Sequence, residues 1–283
     1  MTSPRVILNA YNIRAKKNLG QNFLSDPSTA RMIVNRANIS PEEVVLEIGA
    51  GLGALTLPAS HISKKVFAVE KDRQIIDLLK TQLHANDLSN VVLMSNNILD
   101  IDINALADEA KSKIVVMGNL PYNISSQVLV KLIESRKCLS KAILMFQKEL
   151  AQRITATAGC KDYSRLTVMI QYCSDIKSVA TVKANLFFPK PKVDSEVLEI
   201  KFKQKPDYIV NDEPFLFDVI KAGFGKRRKT LKNALSNSMI EIDVKTILDA
   251  LNCSGIDSRR RAETLTVSEF VNLSNCLKEV LDS

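Results

Sequence analysis

The chain has 283 residues, more than one small domain needs, and its hydrophobic content of 46% is typical of a globular protein rather than a disordered one. Its net charge is +8, from 39 Lys and Arg against 31 Asp and Glu, which favours a polyanionic partner without identifying it. No stretch is long and apolar enough to span a membrane, and the apolar run at residues 6–8 is too short for a signal peptide. We therefore expect a cytoplasmic protein with no membrane partner.

Strands and helices alternate from residue 44 to about residue 147. Apolar runs predict strands over residues 44–48, 65–69, 91–94, 113–117 and 142–146. Amphipathic spacing predicts helices over residues 54–62, 73–85 and 125–134, the last with Ser125 as its N-cap. This alternation indicates a parallel sheet covered by helices, in which ligands bind at the carboxyl ends of the strands.

The pattern changes after this region. Residues 178–185 and 196–202 read as two further strands with no helix between them, which favours an antiparallel addition to the sheet. Beyond Lys205 and Pro206 the pattern is helical to the end. We predict a sheet domain over residues 1–205 and a small, all-helical domain over residues 206–283.

A glycine-rich loop, residues 49–53, follows the first predicted strand of the alternating region. Such a loop alone is a weak signal, since it can serve a dinucleotide, another nucleotide or mere packing. Glu47 could meet a ligand ammonium group, and Glu70, at the end of the next strand, could accept hydrogen bonds from both hydroxyls of a ribose. An adenosine with an amino-acid tail satisfies both carboxylates, so S-adenosylmethionine is favoured, while a dinucleotide, and with it a dehydrogenase, stays open.

Asn97 follows the third strand and is the next polar side chain around the predicted pocket. Its amide could contact an adenine edge. The alternative is that Asn96 and Asn97 only cap a turn.

The sequence Asn119-Leu120-Pro121-Tyr122 follows the fourth strand. A turn alone explains Gly, Asn and Pro there, but not an aromatic ring. An exocyclic amine of a nucleobase is a poor nucleophile, because its lone pair is delocalised into the ring. The Asn119 side-chain carbonyl and the Leu120 backbone carbonyl, held by Pro121, could accept from that amine, while Tyr122 stacks on the base.

Cysteine and histidine offer no further chemistry. The five cysteines are scattered without metal-ligand or redox spacing, which predicts free thiols and no metal. His61 and His84 lie in predicted helices at expected surface positions, so we assign no catalytic histidine.

Basic residues cluster in two segments that lack acidic ones, residues 1–25 and 219–240. These cations are Arg5, Arg14, Lys16, Lys17, Lys221, Lys226, Arg227, Arg228, Lys229 and Lys232. A solvated helix face is a sufficient explanation of the second cluster. Leu231 and Leu235 would point inward, however, and leave the cations of this cluster facing outward, where they could contact phosphates. Arg259, Arg260 and Arg261 could extend this basic surface, although nearby acidic residues reduce its net charge.

Six motifs, in this order, make the chain resemble the bacterial small-subunit ribosomal RNA adenine N6,N6-dimethyltransferases over nearly its whole length. The motifs are residues 18–24 (NLGQNFL), 47–53 (EIGAGLG), Glu70, residues 119–122 (NLPY), 187–195 (FFPKPKVDS) and 227–231 (RRKTL).

The resemblance implies a Rossmann-like class I methyltransferase sheet and a helical RNA-binding domain. It implies S-adenosylmethionine-dependent dimethylation of two adjacent adenosines near the 3′ end of small-subunit RNA, within a 30S precursor, by a monomer that does not act on DNA. It further implies that Asn22 and Leu24 line the cofactor pocket beside Gly49 and Glu70. Phe187 would form the second wall of an adenine clamp opposite Tyr122, although its apolar neighbours suit a core residue as well.

One residue departs from the family pattern. Similar proteins commonly carry Asp where this chain has Asn97, which puts the strength of that cofactor contact in question.

Two rival functions remain. One rival is the relative that methylates large-subunit RNA, against which the long helical region and residues 227–231 argue. The other is an assembly factor that binds immature small subunits and methylates only incidentally.

Overall fold

A computed structural model describes residues 3–226 and 228–282 and divides them into two compact units. The first unit comprises residues 3–151 and Asp175–Phe202, and the second comprises Gln152–Ser174 and residues 203–282. The predicted boundary at residue 205 is therefore wrong in one respect, because residues 152–174 belong with the C-terminal unit. None of the helices in the described ranges has the length and apolar character needed to cross a membrane.

The strands lie mostly where the apolar runs predict them. They are β1 (Phe23–Leu24), β2 (Val44–Ile48), β3 (Lys65–Glu70), β4 (Val91–Ser95), β5 (Ile114–Asn119), β6 (Leu139–Gln147), β7 (Ser174–Val182), β8 (Phe187–Phe188) and β9 (Ser195–Phe202). Among the described residues, seven strands form one sheet in the order β4-β3-β2-β5-β6-β9-β7. The first five are parallel and β9 pairs antiparallel with β6, as predicted.

The order of the sheet reverses between β2 and β5. From β2 the chain proceeds outward through β3 and β4, then returns to the other side of β2 with β5 and β6. A crevice opens at such a point, because the connections on its two sides diverge. The glycine loop after β2 and the tetrapeptide that ends β5 are thus neighbours.

Each helix that begins in the first unit buries apolar side chains. These helices are α1 (Pro4–Ala10), α2 (Pro27–Arg36), α3 (Thr56–Ser60), α4 (Arg73–Ala85), α5 (Ile103–Ala110), α6 (Ser125–Glu134) and α7 (Lys148–Ile154), whose end passes into the second unit. In α4, Ile75, Leu78, Leu79 and Leu83 recur on one face and are buried, as their spacing predicts. The N-cap of α6 is Ile124 rather than Ser125, whose hydroxyl instead donates to the Pro121 carbonyl at 2.9 Å.

The second unit is helical. Its helices are α8 (Arg165–Cys173), α9 (Glu213–Phe224), α10 (Leu231–Leu235), α11 (Val244–Cys253) and α12 (Val267–Leu281). The ring of Tyr172 packs edge-on against Phe217, with centroids 5.9 Å apart, which joins α8 to α9. The prediction that all cysteines are free is wrong, because a disulfide joins Cys253 and Cys276. Cys138, Cys160 and Cys173 take no part in this disulfide.

Candidate active site

A single cleft at the carboxyl ends of the parallel strands brings together the predicted site residues, with one exception. Asn22, Leu24, Glu47, Gly49, Glu70, Asn97, Asn119, Leu120, Pro121 and Tyr122 all line it. The exception is Phe187, which is 4% exposed and pairs with Leu24 between β8 and β1 in the hydrophobic core. The structure therefore gives Phe187 the core position that its apolar neighbours suggest, and its ring does not form a wall of the cleft.

Two glycines let the backbones of β2 and β5 meet at this cleft. Gly49 has φ +75°, a conformation that residues with a side chain rarely adopt, and it lies beside the Asn119 backbone. A Cβ atom at Gly118 would be 2.5 Å from the Ile48 carbonyl oxygen. Glycine at both positions therefore keeps the end of β5 against the turn after β2.

Glu70 is held by backbone donors on two sides. Its Oε2 accepts from the Gly51 N–H at 3.0 Å, and its Oε1 accepts from the Asp72 N–H at 2.9 Å. Burial raises the pKa of this carboxyl, and the two N–H groups oppose that effect. Each oxygen keeps a second acceptor site, so the carboxylate is oriented and still able to accept from a ligand.

Glu47 is a buried carboxyl, and hydrogen bonding with Thr56 offsets only part of the cost of burying it. It is 2% exposed, and its Oε2 has no hydrogen-bond partner in residues 3–226 or 228–282. Burial raises its pKa to about 8, and the nearby charge of Glu70 adds to the rise. A cationic ligand group in the cleft would favour the ionised form of this carboxyl.

We expect Glu47 to make the stability of the free protein depend on pH. Its pKa is about 8 in the folded chain against 4.5 ordinarily, so the folded state keeps a proton that the unfolded state releases. The contribution of Glu47 to the free energy of unfolding is thus fully present below pH 4.5 and is lost as pH rises towards 8. Relative to wild type, Glu47→Gln should gain stability over that window, by at most about 1.4 kcal/mol per pH unit. Urea unfolding across the window measures the difference, and parallel pH curves for the two proteins would contradict the assignment.

Asn97 shows both of the features that its sequence allows. Its Oδ1 accepts from the Leu99 N–H at 3.3 Å and caps a short turn, and its side chain also lines the cleft. The amide NH₂ and a second acceptor site on Oδ1 are left for a ligand. An aspartate at this position could supply only the acceptor.

The side chain of Asn119 has a defined orientation. Its Nδ2 donates to the Asn22 backbone carbonyl at 2.8 Å. Because a carbonyl oxygen can only accept, the amide nitrogen must face it, and Oδ1 points the other way. The orientation of this amide depends on an N-terminal segment 97 residues away in sequence.

The remainder of the tetrapeptide is fixed by close contacts. Leu120 is buried, and its N–H donates to the Met145 carbonyl at 3.3 Å. A Cβ atom at Gly20 would be 3.3 Å from the Pro121 Cβ, so the N-terminal segment passes directly over the proline. The Tyr122 hydroxyl lies 3.1 Å from the hydroxyl of Ser195, which is fully buried. We did not predict this partner, although Ser195 lies within a motif of the resemblance.

A second unpredicted contact joins the N-terminal segment to the edge of the cleft. Lys16 Nζ and Gln21 Nε2 both donate to the Asp72 carboxylate, at 2.8 and 2.9 Å. Burial acts to raise the pKa of Asp72, but the bonds from Lys16 and Gln21 hold it below its usual value. The N–H of the same Asp72 donates to Glu70. Sequence offered no signal for this pairing, because the partners are more than 50 residues apart.

The basic cluster of the second unit is divided between helices and a loop, because Lys221 lies in α9 and Lys232 in α10, while other members lie between these helices. Lys226, Arg228 and Lys229 are exposed, whereas Leu231 and Leu235 are buried as expected. Arg227 lies outside the residues that the structure describes.

The second arginine run adjoins this loop through the hydrogen bond from the Leu231 N–H to the Arg260 carbonyl. Arg259 pairs with Asp257, and Arg260 pairs with Glu269. Arg261 is exposed and is therefore the member of that run best placed to extend the loop's charge.

Comparisons with known proteins identify the family of the chain. The family model described as ribosomal RNA adenine dimethylase matches residues 12–279. The ribosomal RNA small subunit methyltransferase A of Desulforapulum autotrophicum is 50% identical, over 98% of this chain and 97% of that protein. The protein of the same name from Clostridium botulinum is 38% identical, over 97% and 98%.

A solved structure is also similar to this chain. The dimethyladenosine transferase from Plasmodium falciparum superposes with a TM-score of 0.76 at 27% identity, covering 89% of this chain and 95% of that one. The family model spans both units, and the cleft residues from Asn18 onwards lie within the part of the chain that it matches. The chain belongs to the ribosomal RNA adenine dimethylase family.

Proposed function

We propose that the protein uses S-adenosylmethionine to dimethylate the N6 of two adjacent adenosines near the 3′ end of small-subunit ribosomal RNA. The observation that carries the proposal is the Asn119 amide, whose Oδ1 is turned away from Asn22 and left free to accept from a substrate amine. The similarity to small-subunit methyltransferases supports the choice of substrate.

The residues of the cleft fit S-adenosylmethionine. The orphaned carboxyl oxygen of Glu47 suits the ammonium group of the methionine tail, and the oriented Glu70 carboxylate suits the ribose hydroxyls. The Asn97 NH₂ suits a ring nitrogen of adenine, with Asn22, Leu24 and Gly49 as the remaining walls. When bound, this cofactor supplies an electrophilic methyl group on a sulfonium.

The tetrapeptide would act on the substrate adenine. The Asn119 Oδ1 and the Leu120 carbonyl accept from the amine hydrogens and so concentrate the nitrogen lone pair. Tyr122 supports the face of the base. The ammonium that forms on methylation is strongly acidic, so no dedicated base is needed, and catalysis rests on position and fixed dipoles.

The exposed cations of the second unit, Lys226, Arg228 and Lys229, would hold RNA phosphates, with Arg227 as a further predicted contact. An unstacked adenosine is accessible in a loop or near an RNA end. We infer that the substrate is a 30S precursor in the cytoplasm and that the protein acts as a monomer in small-subunit biogenesis.

The direct test is incubation of purified protein and S-adenosylmethionine with small subunits that lack adenine methylation, followed by mapping of methylated positions. We expect dimethyladenosine at two adjacent sites near the 3′ end of the RNA. Methylation of large-subunit RNA instead would reverse the substrate assignment. Tight association without methyl transfer would favour an assembly factor.

Replacing Glu70 by alanine should weaken binding of S-adenosylmethionine about tenfold or more, since hydrogen bonds to a charged group contribute about 1.5–3 kcal/mol. Glu70→Gln should lose less cofactor affinity, because glutamine keeps one oxygen. That oxygen can still accept from either the Gly51 or the Asp72 N–H and so remain oriented as an acceptor for the cofactor. Calorimetric titration measures both variants, with thermal unfolding to show that the free proteins are folded. Wild-type affinity in folded Glu70→Ala would remove Glu70 from the site.

Replacing Arg228 and Lys229 by alanine should weaken RNA binding and lower the slope of log affinity against log salt by about one unit per lost phosphate contact. Cofactor affinity should not change. Lys205→Ala with Lys245→Ala, which removes two exposed cations elsewhere in the second unit, is the matched control. Equal salt slopes for the two double variants would place the RNA surface elsewhere.

A further inference from the structure

The N-terminal segment, residues 4–24, has two faces of different chemistry. Its inner face completes the cleft, which Pro4, Ile7 and residues 18–24 help to line. Ile7 and Leu8 are buried against Leu52, Ile75 and Leu78. The segment is therefore a packed wall of the active site rather than a loose tail.

The outer face of this segment is cationic and unpaired. Arg5, Arg14 and Lys17 are exposed, and no ion pair or hydrogen bond links their side chains to another residue of the described ranges. There is no acidic residue before Asp26. Tyr11 adds an aromatic ring that is 57% exposed. Exposed cations and an exposed ring in one short segment are a combination that can hold a single nucleic-acid strand, through phosphates and base stacking.

Not every cation of the segment is unpaired. Lys16 lies between Arg14 and Lys17 in sequence, yet it pairs with the buried carboxylate of Asp72. Together with the bonds from Gln21 to Asp72 and from Asn119 to Asn22, this pair fixes the position of the segment at the mouth of the cleft. The neighbour of Lys17, Asn18, lines the cleft itself.

We propose that the outer face of residues 4–24 is a second RNA-contacting surface, which binds the single strand beside the target adenosine. The inner face of the same segment forms a wall of the cofactor cleft. The inference rests on the proposed function, since it takes RNA as the occupant. Charge complementarity selects a polyanion, and the exposed ring of Tyr11 favours an unstacked strand over a duplex. Asp72 is then a positioning residue that ties this surface to Glu70.

The test is charge reversal with a matched control. Arg5→Glu/Arg14→Glu/Lys17→Glu is compared with Lys64→Glu/Lys111→Glu/Lys137→Glu, which changes net charge equally. The control residues are exposed and lie just before β3, β5 and β6, at the edge of the sheet opposite to the cleft. Affinity for small subunits that lack adenine methylation is measured at several salt concentrations, and S-adenosylmethionine affinity is measured by calorimetry.

We expect the N-terminal variant to bind the particles more weakly than the control and to lose about two to three units of salt slope, at roughly 0.7–0.9 per contact. Cofactor affinity should stay at the wild-type level. Tyr11→Ala should weaken particle binding about tenfold with an unchanged salt slope, since stacking releases no counterions.

Equal affinities and slopes in the two triple variants would overturn the inference while leaving the proposed function intact. Weakened cofactor binding in the N-terminal variant, with normal particle binding, would also overturn it by reducing the segment to a structural wall. Failure of the wild-type protein to bind or methylate these particles would overturn the proposed function together with the inference.

Discussion

Asn119→Ala should lower the rate of methyl transfer on the order of 100-fold or more, the usual effect of removing one preorganised group that stabilises developing charge. The benefit of the Asn119 Oδ1 grows as positive charge develops on the substrate nitrogen. RNA affinity should change little, because phosphate contacts supply most of it. Single-turnover methylation at saturating cofactor and RNA isolates this effect from binding.

The bond from Asn119 to Asn22 complicates the reading of this variant, because alanine also releases the Asn22 carbonyl. Asn123 provides a matched control. Its Nδ2 donates to the Asn18 carbonyl at 3.3 Å, so Asn123→Ala likewise removes an asparagine that bonds to the N-terminal segment. We expect that variant to keep a rate close to the wild-type value. Near-normal turnover in Asn119→Ala would make the tetrapeptide an ordinary turn. An equal loss of rate in both variants would show that Asn119 serves only to anchor the N-terminal segment.

The cleft could be predicted from sequence to the extent that strand ends determine it. Parallel strands share one carboxyl edge, so Glu70, Asn97 and Asn119 had to meet once their strands were recognised. The same reasoning could not orient them. The direction of the Asn119 amide depends on a backbone carbonyl at Asn22, which belongs to a segment with no strand periodicity of its own.

The domain division shows a second limit. Residues 152–174 come between two strands of the sheet, so their sequence position suggests the first unit. Their assignment to the second is a matter of packing, because Tyr163 and Tyr172 are buried against Phe224 and Phe217. Apolar periodicity reveals that a helix has a buried face but not which neighbour covers it.

The ring of Tyr122 should matter more than its hydroxyl. Stacking contributes about 1–3 kcal/mol per base, so Tyr122→Ala should lower occupancy of the extruded adenine about 5- to 150-fold. Tyr122→Phe keeps the ring and should remain largely active. The structure adds one cost, since phenylalanine leaves the buried Ser195 hydroxyl without its partner. A neutral hydrogen bond contributes about 0.5–1.5 kcal/mol, or a few-fold in rate.

Ser195 makes the account testable by a double-mutant cycle. If its hydroxyl serves only to hold the ring of Tyr122, Ser195→Ala and Tyr122→Phe should each cost a few-fold. The double variant should cost no more than either, because both ends of one bond are then removed. Single-turnover rates at limiting and saturating RNA measure all four proteins, and Tyr122→Ala sets the scale for loss of the ring. If Tyr122→Phe were as inactive as Tyr122→Ala, the hydroxyl and not the ring would be the working group. Fully additive losses from Ser195 and Tyr122 would show instead that the serine acts elsewhere in the site.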